Sequence, residues 1–267
     1  MKKAVSRRVM LVQTAAAGVF AAATPLKAVA AQTTADGRPF RFCLNTGTLM
    51  GYKQPLHEVV DIAAKAGYDG IEPWSREIDA FIKSGCDLGD LAKRIRDQGL
   101  VVENVMSFAP WIVDDEQRRA EGLETIKREM EWTARLGGKR IAAPPAGATK
   151  QTDLSLLKAA ERYRAILELG KKFGVAPQLE IWGGSKTLGR LSEAVFVAVE
   201  CGHPDASLLL DVYHLYKGGS DWRGLGLLNG GRLHIVHVND YPAEPPRESI
   251  TDAHRVYPGD GVAPLQE

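Results

Sequence analysis

An α/β fold, a (β/α)8 barrel that stops short of its eighth strand, is predicted by three features of the sequence. From Phe40 onward, short apolar runs alternate with amphipathic helical patterns. Strands separated by helices return to the same sheet through crossovers, which makes them parallel. The polar residues Asn45, Glu72, Asn104, Glu180, Asp211 and His237 fall at or near the C-terminal ends of these runs, and in a closed barrel those ends converge on one mouth. An open doubly wound sheet also fits the alternation. It is disfavoured because the first strand–helix junctions carry neither GxGxxG nor GxxxxGK[ST].

The elements follow in order. Residues 40–45 form the first strand-like run. Leu56, Val59, Val60, Ala63 and Ala64 then share one helix face, which Gly67 ends. Residues 68–72 are a second strand, and Leu88, Leu91 and Ile95 mark a helix closed by Gly99. Residues 100–106 are a third strand. Leu123, Ile126, Met130 and Thr133 pattern a long helix that stops at Gly137-Gly138. A fourth strand spans 140–143, and Leu156, Ala160, Tyr163 and Leu167 pattern the helix ended by Gly174. A fifth strand spans 175–181, followed by a helix carrying Leu188, Leu191, Val195 and Val199. Strands at 207–210 and 233–238 make seven. A Pro-rich loop follows, and residues 264–267 read as the opening turn of a helix. A full barrel needs an eighth strand and further helices, about 40–60 more residues at ordinary element lengths.

Residues 1–35 are set apart. Lys2, Lys3, Arg7 and Arg8 form a basic head, an Ala-rich apolar run follows, and Ala28-Val29-Ala30 has the form of a cleavage site. Ser6-Arg7-Arg8-Val9-Met10-Leu11 resembles a twin-arginine export signal, with Met10 at the position usually held by Phe. The expectation is an exported, periplasmic protein that meets the membrane only in transit, with a single domain over residues 36–267.

Composition excludes some function classes. The 267 residues carry 34 Lys and Arg against 33 Asp and Glu, a net charge of +1. A strongly basic nucleic-acid face is not signalled. Cys43, Cys86 and Cys201 form no CxxC pair and read as small buried hydrophobes rather than as a zinc or redox motif.

Three strand ends carry the chemistry. Glu180 lies among Pro177, Leu179, Ile181 and Trp182, where a carboxylate is costly unless paired or bound to a metal. Asp211 ends Leu208-Leu209-Leu210 and serves equally as a ligand or as a cap for the turn that follows. His214 comes three residues later. In a strand, Ile235, His237 and Asn239 share a face and His234 takes the other. Each residue alone has an ordinary structural reading. Together Glu180, Asp211 and His237 make an oxygen and nitrogen donor set suited to a divalent cation, Mn²⁺, Mg²⁺, Co²⁺ or Zn²⁺. Trp74, Phe108 and Trp111 follow the second and third strands, as packing or as an apolar wall for a sugar face. Glu72 and Glu103 are either mouth residues or members of structural ion pairs.

The order Leu179-Glu180, Leu208-Leu209-Leu210-Asp211-Val212-Tyr213-His214, Val236-His237-Val238-Asn239-Asp240 and Arg255-Val256-Tyr257-Pro258-Gly259-Asp260-Gly261, with Ala66-Gly67-Tyr68-Asp69-Gly70-Ile71-Glu72 before it, resembles the xylose-isomerase-like TIM-barrel superfamily and its sugar phosphate isomerase/epimerase group. The resemblance runs from about residue 40 to the end of the sequence. It implies that Glu180, Asp211 and His237 hold the metal and that His214 and Arg255 hold substrate oxygens. It further implies a second Glu as fourth ligand on an eighth strand, beyond Glu267. The implied reaction acts on a small sugar or hydroxy-carbonyl compound. A metal on the carbonyl and hydroxyl oxygens stabilises an enediolate, and Glu180 exchanges the proton on carbon. Gly259 and Gly261 serve a turn. A dehydratase or lyase on the same scaffold and a non-catalytic exported carbohydrate-binding barrel are the alternatives. A nuclease of the apurinic-site type, which the superfamily also contains, needs more His and carboxylate ligands and a basic track, against which six His and a near-zero charge argue.

Overall fold

Short apolar runs and amphipathic helices assemble into an inner layer of strands and an outer layer of helices. The structure, a computed structural model, describes residues 37–266. The expected export signal lies outside the described residues. The elements are β1 (Cys43–Asn45), α1 (Leu56–Lys65), β2 (Gly70–Glu72), α2 (Ser75–Lys83), α3 (Leu88–Asp97), β3 (Val101–Val102), α4 (Glu116–Arg135), β4 (Arg140–Ala143), α5 (Leu156–Lys171), β5 (Ala176–Glu180), α6 (Leu191–Glu200), β6 (Leu208–Asp211), α7 (Val212–Lys217) and β7 (Leu233–His237).

All strand pairs are parallel, in the orders β1-β2-β3 and β4-β5-β6-β7. A parallel bridge from Val105 to Ile141 carries the array from the first set to the second. Strands in sequential order suit a barrel; a doubly wound sheet reverses order about an early strand. Among the described residues there is no eighth strand, and β1 and β7 each pair with a single neighbour. Among them, too, no helix is long and apolar enough to cross a membrane.

Helix termini follow their local chemistry. Asp87 accepts from the Gly89 and Asp90 N–H groups at the start of α3, and Asp115 accepts from Arg118 N–H at the start of α4. Such caps satisfy donors that the first helical turn leaves without partners. The helices bury one stripe each: Val59, Val60 and Ala63 on α1, Ile126 and Met130 on α4, Tyr163, Ile166 and Leu167 on α5. These meet the outward strand residues Ile71, Ile141, Ala143, Leu179, Leu208 and Leu210 in one continuous core.

The alternate residues point inward. Met106, Ala142 and Leu209, with Trp74, Phe108 and Ile235 against them, form a separate small cluster. Leu209 pairs with Ile235 and Asp211 with His237. The two-residue strand period therefore sets Asp211 and His237 one layer above this apolar floor.

Several expectations are corrected. The third strand shrinks to Val101–Val102, because the chain turns so that Val105 pairs with Ile141 and Met106 with Trp74. The helix α2 was not expected. It starts where Glu77 folds back to accept from Trp74 N–H at 3.0 Å, and it buries Ile78. Leu188, expected on a helix face, precedes α6 in a left-handed conformation (φ 55°). At the end of the described chain, Leu265 and Gln266 form a turn. Of the cysteines, Cys201 is buried, Cys43 is half-buried and Cys86 is exposed, so only the first fits the buried-hydrophobe reading.

Candidate active site

The strand ends deliver the expected residues to one place. Glu180 ends β5, Asp211 ends β6 and His237 ends β7. His237 Nδ1 lies 3.7 Å from Glu180 Oε1 and 3.6 Å from Asp211 Oδ2. Both carboxylates are buried, and the His237 side chain is 13% exposed. On its far side, His237 Nε2 sits 2.8 and 3.0 Å from the two Glu72 oxygens. Glu72 also accepts from Asn45 Nδ2 at 2.8 Å and from Asn104 Nδ2 at 2.6 Å.

Asp211 both caps a turn and faces the site. Its Oδ1 accepts from His214 N–H at 3.0 Å, which starts α7, while Oδ2 accepts from Asn239 Nδ2 at 3.2 Å and Arg255 Nη1 at 3.1 Å. Asn239 is fixed in turn, because its Oδ1 accepts from Tyr213 N–H at 3.0 Å. Its predicted shared face with His237 is thus realised.

Arg255 arrives on the loop after β7. Asp240 and Val256 exchange two backbone hydrogen bonds that fold this loop back over the mouth. The Asp240 carboxylate then accepts from Tyr241, Gly259 and Ala263 N–H groups. Gly259 has φ 93°, which a side chain resists. A Cβ on Gly261 would lie 2.3 Å from both Asp240 Oδ1 and Tyr241 O. Arg255 lies over the Tyr213 ring at 4.5 Å, pairs with Asp252, and contacts His214 Nε2 at 3.1 Å. His214 Nδ1 faces Gly183 N–H at 3.3 Å. A neutral imidazole has one acceptor nitrogen, so His214 serves one of these two donors at a time.

The electrostatics follow from burial and crowding. Burial pushes Glu180 up to about 8, with the Asp211 and Glu72 charges adding to this and His237 opposing it. Burial alone would raise Asp211, but His237, His214 and Arg255 outweigh it and hold the carboxyl well below its usual range. Burial would lower His237, yet Glu72, Asp211 and Glu180 keep it well above the usual imidazole value. Burial, with Arg255 adding to it, depresses His214 against the opposing Asp211 charge, which favours its neutral form.

Among the described residues, no group of three or more His, Cys, Asp and Glu side chains stands ready-made to hold a metal ion. The expected set converges but is not caged. Asp211 Oδ2 is committed to Arg255 and Asn239, and His237 Nε2 to Glu72. The atoms left over nevertheless fit a divalent cation. Glu180 Oε2 is buried without a hydrogen-bond partner, and His237 Nδ1 faces two carboxylates beyond hydrogen-bond range. Glu180 Oε2 and His237 Nδ1, with Asp211 Oδ2 if Arg255 yields it, are a donor set for Mn²⁺, Mg²⁺, Co²⁺ or Zn²⁺.

The aromatic wall is partly as expected. Trp74 and Phe108 rings lie 4.8 Å apart, Phe108 and Trp182 6.0 Å, and Trp182 and His214 6.4 Å. Trp111 is not in it. It is fully buried, and its Nε1 donates to Pro144 O at 2.8 Å. Trp182 was missed, although its place just beyond Glu180 marks it as a mouth residue. Glu103 pairs with Arg41 and lies 3.7 Å from Arg140, so it is a structural ion-pair member.

The chain belongs to the xylose isomerase-like TIM barrel family, whose model matches residues 60–267. It is 25% identical over 229 residues to the inosose isomerase of Bacillus velezensis, covering 84% of this chain and 81% of that one. Among solved structures it resembles the IOLI protein with a binding zinc atom, with a TM-score of 0.77 and 24% identity over 85% of this chain and 82% of the other. An L-ribulose 3-epimerase matches with a TM-score of 0.61 and 23% identity over 75% and 70%. At these identities the structural likenesses speak for the barrel fold.

Proposed function

We propose that this protein is a cation-dependent isomerase or epimerase of a small sugar or hydroxy-carbonyl compound. The observation that carries this reading is the convergence of Glu180, Asp211 and His237 at one strand-end mouth beside an aromatic wall. The relative named as an inosose isomerase supports the same reaction class.

Each residue has a definable task. Glu180, at the end of β5 with its Oε2 buried and without a hydrogen-bond partner, is suited to take a proton from the carbon beside a carbonyl and to return it. Glu180, Asp211 and His237 would hold a divalent cation, which would supply positive charge beside the substrate oxygens. Arg255 and His214 offer hydrogen-bond partners to substrate hydroxyls. The Trp74, Phe108 and Trp182 rings shield the site from water and cover an apolar sugar face.

The test is solvent exchange. The protein, supplied with Mn²⁺ in D₂O, is expected to place deuterium on the carbon next to the carbonyl of an inosose or ketose, followed by NMR. Glu180→Gln is expected to reduce that rate by about 10²–10⁴-fold. Loss of water without exchange would favour the dehydratase reading. Ligand binding with neither would favour the non-catalytic barrel.

Two further parts belong to the same proposal. Val236 on β7, Val238 just past it and Phe42 beside β1 are exposed apolar residues at the strands that have one neighbour among the described residues, a surface that suits a further packed element. The twin-arginine segment implies periplasmic export, which Arg7→Lys with Arg8→Lys is expected to block in a cell-fractionation assay.

A further inference from the structure

Glu72 was read from sequence as a mouth residue or a member of an ion pair. Its surroundings define it further. The carboxylate is 2% exposed and touches three side chains. Oε2 accepts from Asn45 Nδ2 and Oε1 from Asn104 Nδ2. Both oxygens face His237 Nε2 at 2.8 and 3.0 Å. Asn45 cannot turn its amide freely, because its Oδ1 accepts from Trp74 Nε1 at 2.7 Å and from Gly47 N–H at 3.0 Å. The carboxylate is therefore held by donors from the ends of β1 and β7 and from Asn104, just past β3. Its lone pairs are committed, and little is left with which to act as a base or as a ligand.

We infer that Glu72 is a positioning residue for His237: by accepting the hydrogen on Nε2, it makes Nδ1 the nitrogen turned toward Glu180 and Asp211 and offered to a cation. This rests on the cation-dependent reading above. The geometry is directional. The two imidazole nitrogens point opposite ways, Nε2 to Glu72 and Nδ1 to the other two carboxylates. Only Nε2 lies within hydrogen-bond distance of a carboxylate, whereas Nδ1 is 3.6 and 3.7 Å from Asp211 and Glu180, so when the ring carries a single hydrogen it sits on Nε2. Partners of this kind fix the ring orientation and tautomer of a ligating histidine, and their loss weakens metal binding by about 10–100-fold.

The same contact has a second consequence. His237 and Glu72 are 165 positions apart in sequence. Their pairing joins β7 to β2 by side chains, although no backbone hydrogen bond joins β7 to β1 or β2. The orientation of the imidazole is thus tied to the first three strands and does not depend on β6 alone.

The test uses the whole chain with Mn²⁺ and Zn²⁺ as probes. Glu72→Gln keeps the shape, but its amide NH₂ meets donors. It is expected to weaken Mn²⁺ binding in calorimetry by about 10–100-fold. Glu72→Asp, which keeps the charge, is expected to recover part of that loss. Two-bond ¹H–¹⁵N spectra of the Zn²⁺-loaded wild type are expected to show His237 with hydrogen on Nε2 and metal on Nδ1, a pattern lost in Glu72→Gln. Unchanged Mn²⁺ affinity in a folded Glu72→Gln protein would overturn the inference while leaving the cation reading intact. So would a Zn²⁺-loaded wild-type spectrum with the hydrogen on Nδ1 and the metal on Nε2, and that spectrum decides the matter should the variant fail to fold. A wild type that takes up neither ion would bring down the cation reading and this inference together.

Discussion

At the residue scale the site is governed by the cost of burying charge. Glu180 ordinarily titrates near 4.5 and is pushed up to about 8 in the fold. Between those values, in protein without metal, the unfolded chain gives up this proton and the native chain keeps it. The native state then binds more protons, so this group makes stability fall as pH rises from about 4.5 to 8 and level off above. Glu180→Gln removes the dependence. Urea unfolding in the presence of a chelator is expected to show the variant gaining on the wild type from pH 5 to pH 8. Since a carboxylate must ionise to bind a cation, Mn²⁺ affinity is expected to rise over the same window. Arg255 makes a different kind of contribution. Its guanidinium joins Asp211, Asp252 and the Tyr213 face, a planar arrangement that an ammonium does not reproduce. Arg255→Lys is expected to resemble Arg255→Ala, with KM for a hydroxyl-bearing substrate raised more than kcat is lowered. Full recovery by Lys in steady-state kinetics would count against this role.

At the element scale, strands and helices are locked by a few buried polar contacts. The Tyr163 hydroxyl on α5 reaches Pro177 O at 2.9 Å and Ser207 O at 3.1 Å, and it accepts from Ser207 N–H at 3.2 Å. One side chain thus ties α5 to β5 and to the residue before β6. Tyr163→Phe keeps the ring and leaves buried backbone groups without that partner, so chemical denaturation is expected to show a loss of about 1–3 kcal/mol. The loop carrying Arg255 is fixed in a comparable way by Asp240. Gly261→Ala would drive a Cβ against Asp240 Oδ1 and Tyr241 O. It is expected to cost about 1–3 kcal/mol and to weaken substrate binding through Arg255, both readable from one unfolding curve and one KM. Here the sequence was legible in part. The helix stripes at Val59, Ile126 and Tyr163 follow from period, whereas α2 escaped notice. Its start depends on Glu77, which folds back locally on Trp74 N–H and also accepts from Thr46, 31 positions away in the chain.

At the scale of the whole molecule, the array is strongest in the middle. Strands β4 to β6 are buried between helices and the inner apolar cluster. β1 and β7 have one neighbour each among the described residues, and His234 and Val236 on β7 and Val238 just past it are exposed. Amide hydrogen exchange is expected to be slowest in β4, β5 and β6 and faster in β7 and β1. Equal protection across all seven strands would show that the edges are closed in solution. The sequence by itself determined the strand and helix order, the parallel arrangement and the placing of Glu180, Asp211 and His237 at strand ends, because these depend on period and on neighbours in the chain. Only the tertiary structure decided what those residues face. It set Glu72 behind His237, Arg255 on Asp211, Trp182 in the aromatic wall and Trp111 outside it. Such pairings depend on distances between segments remote in sequence, and no local pattern of apolar and polar residues encodes them.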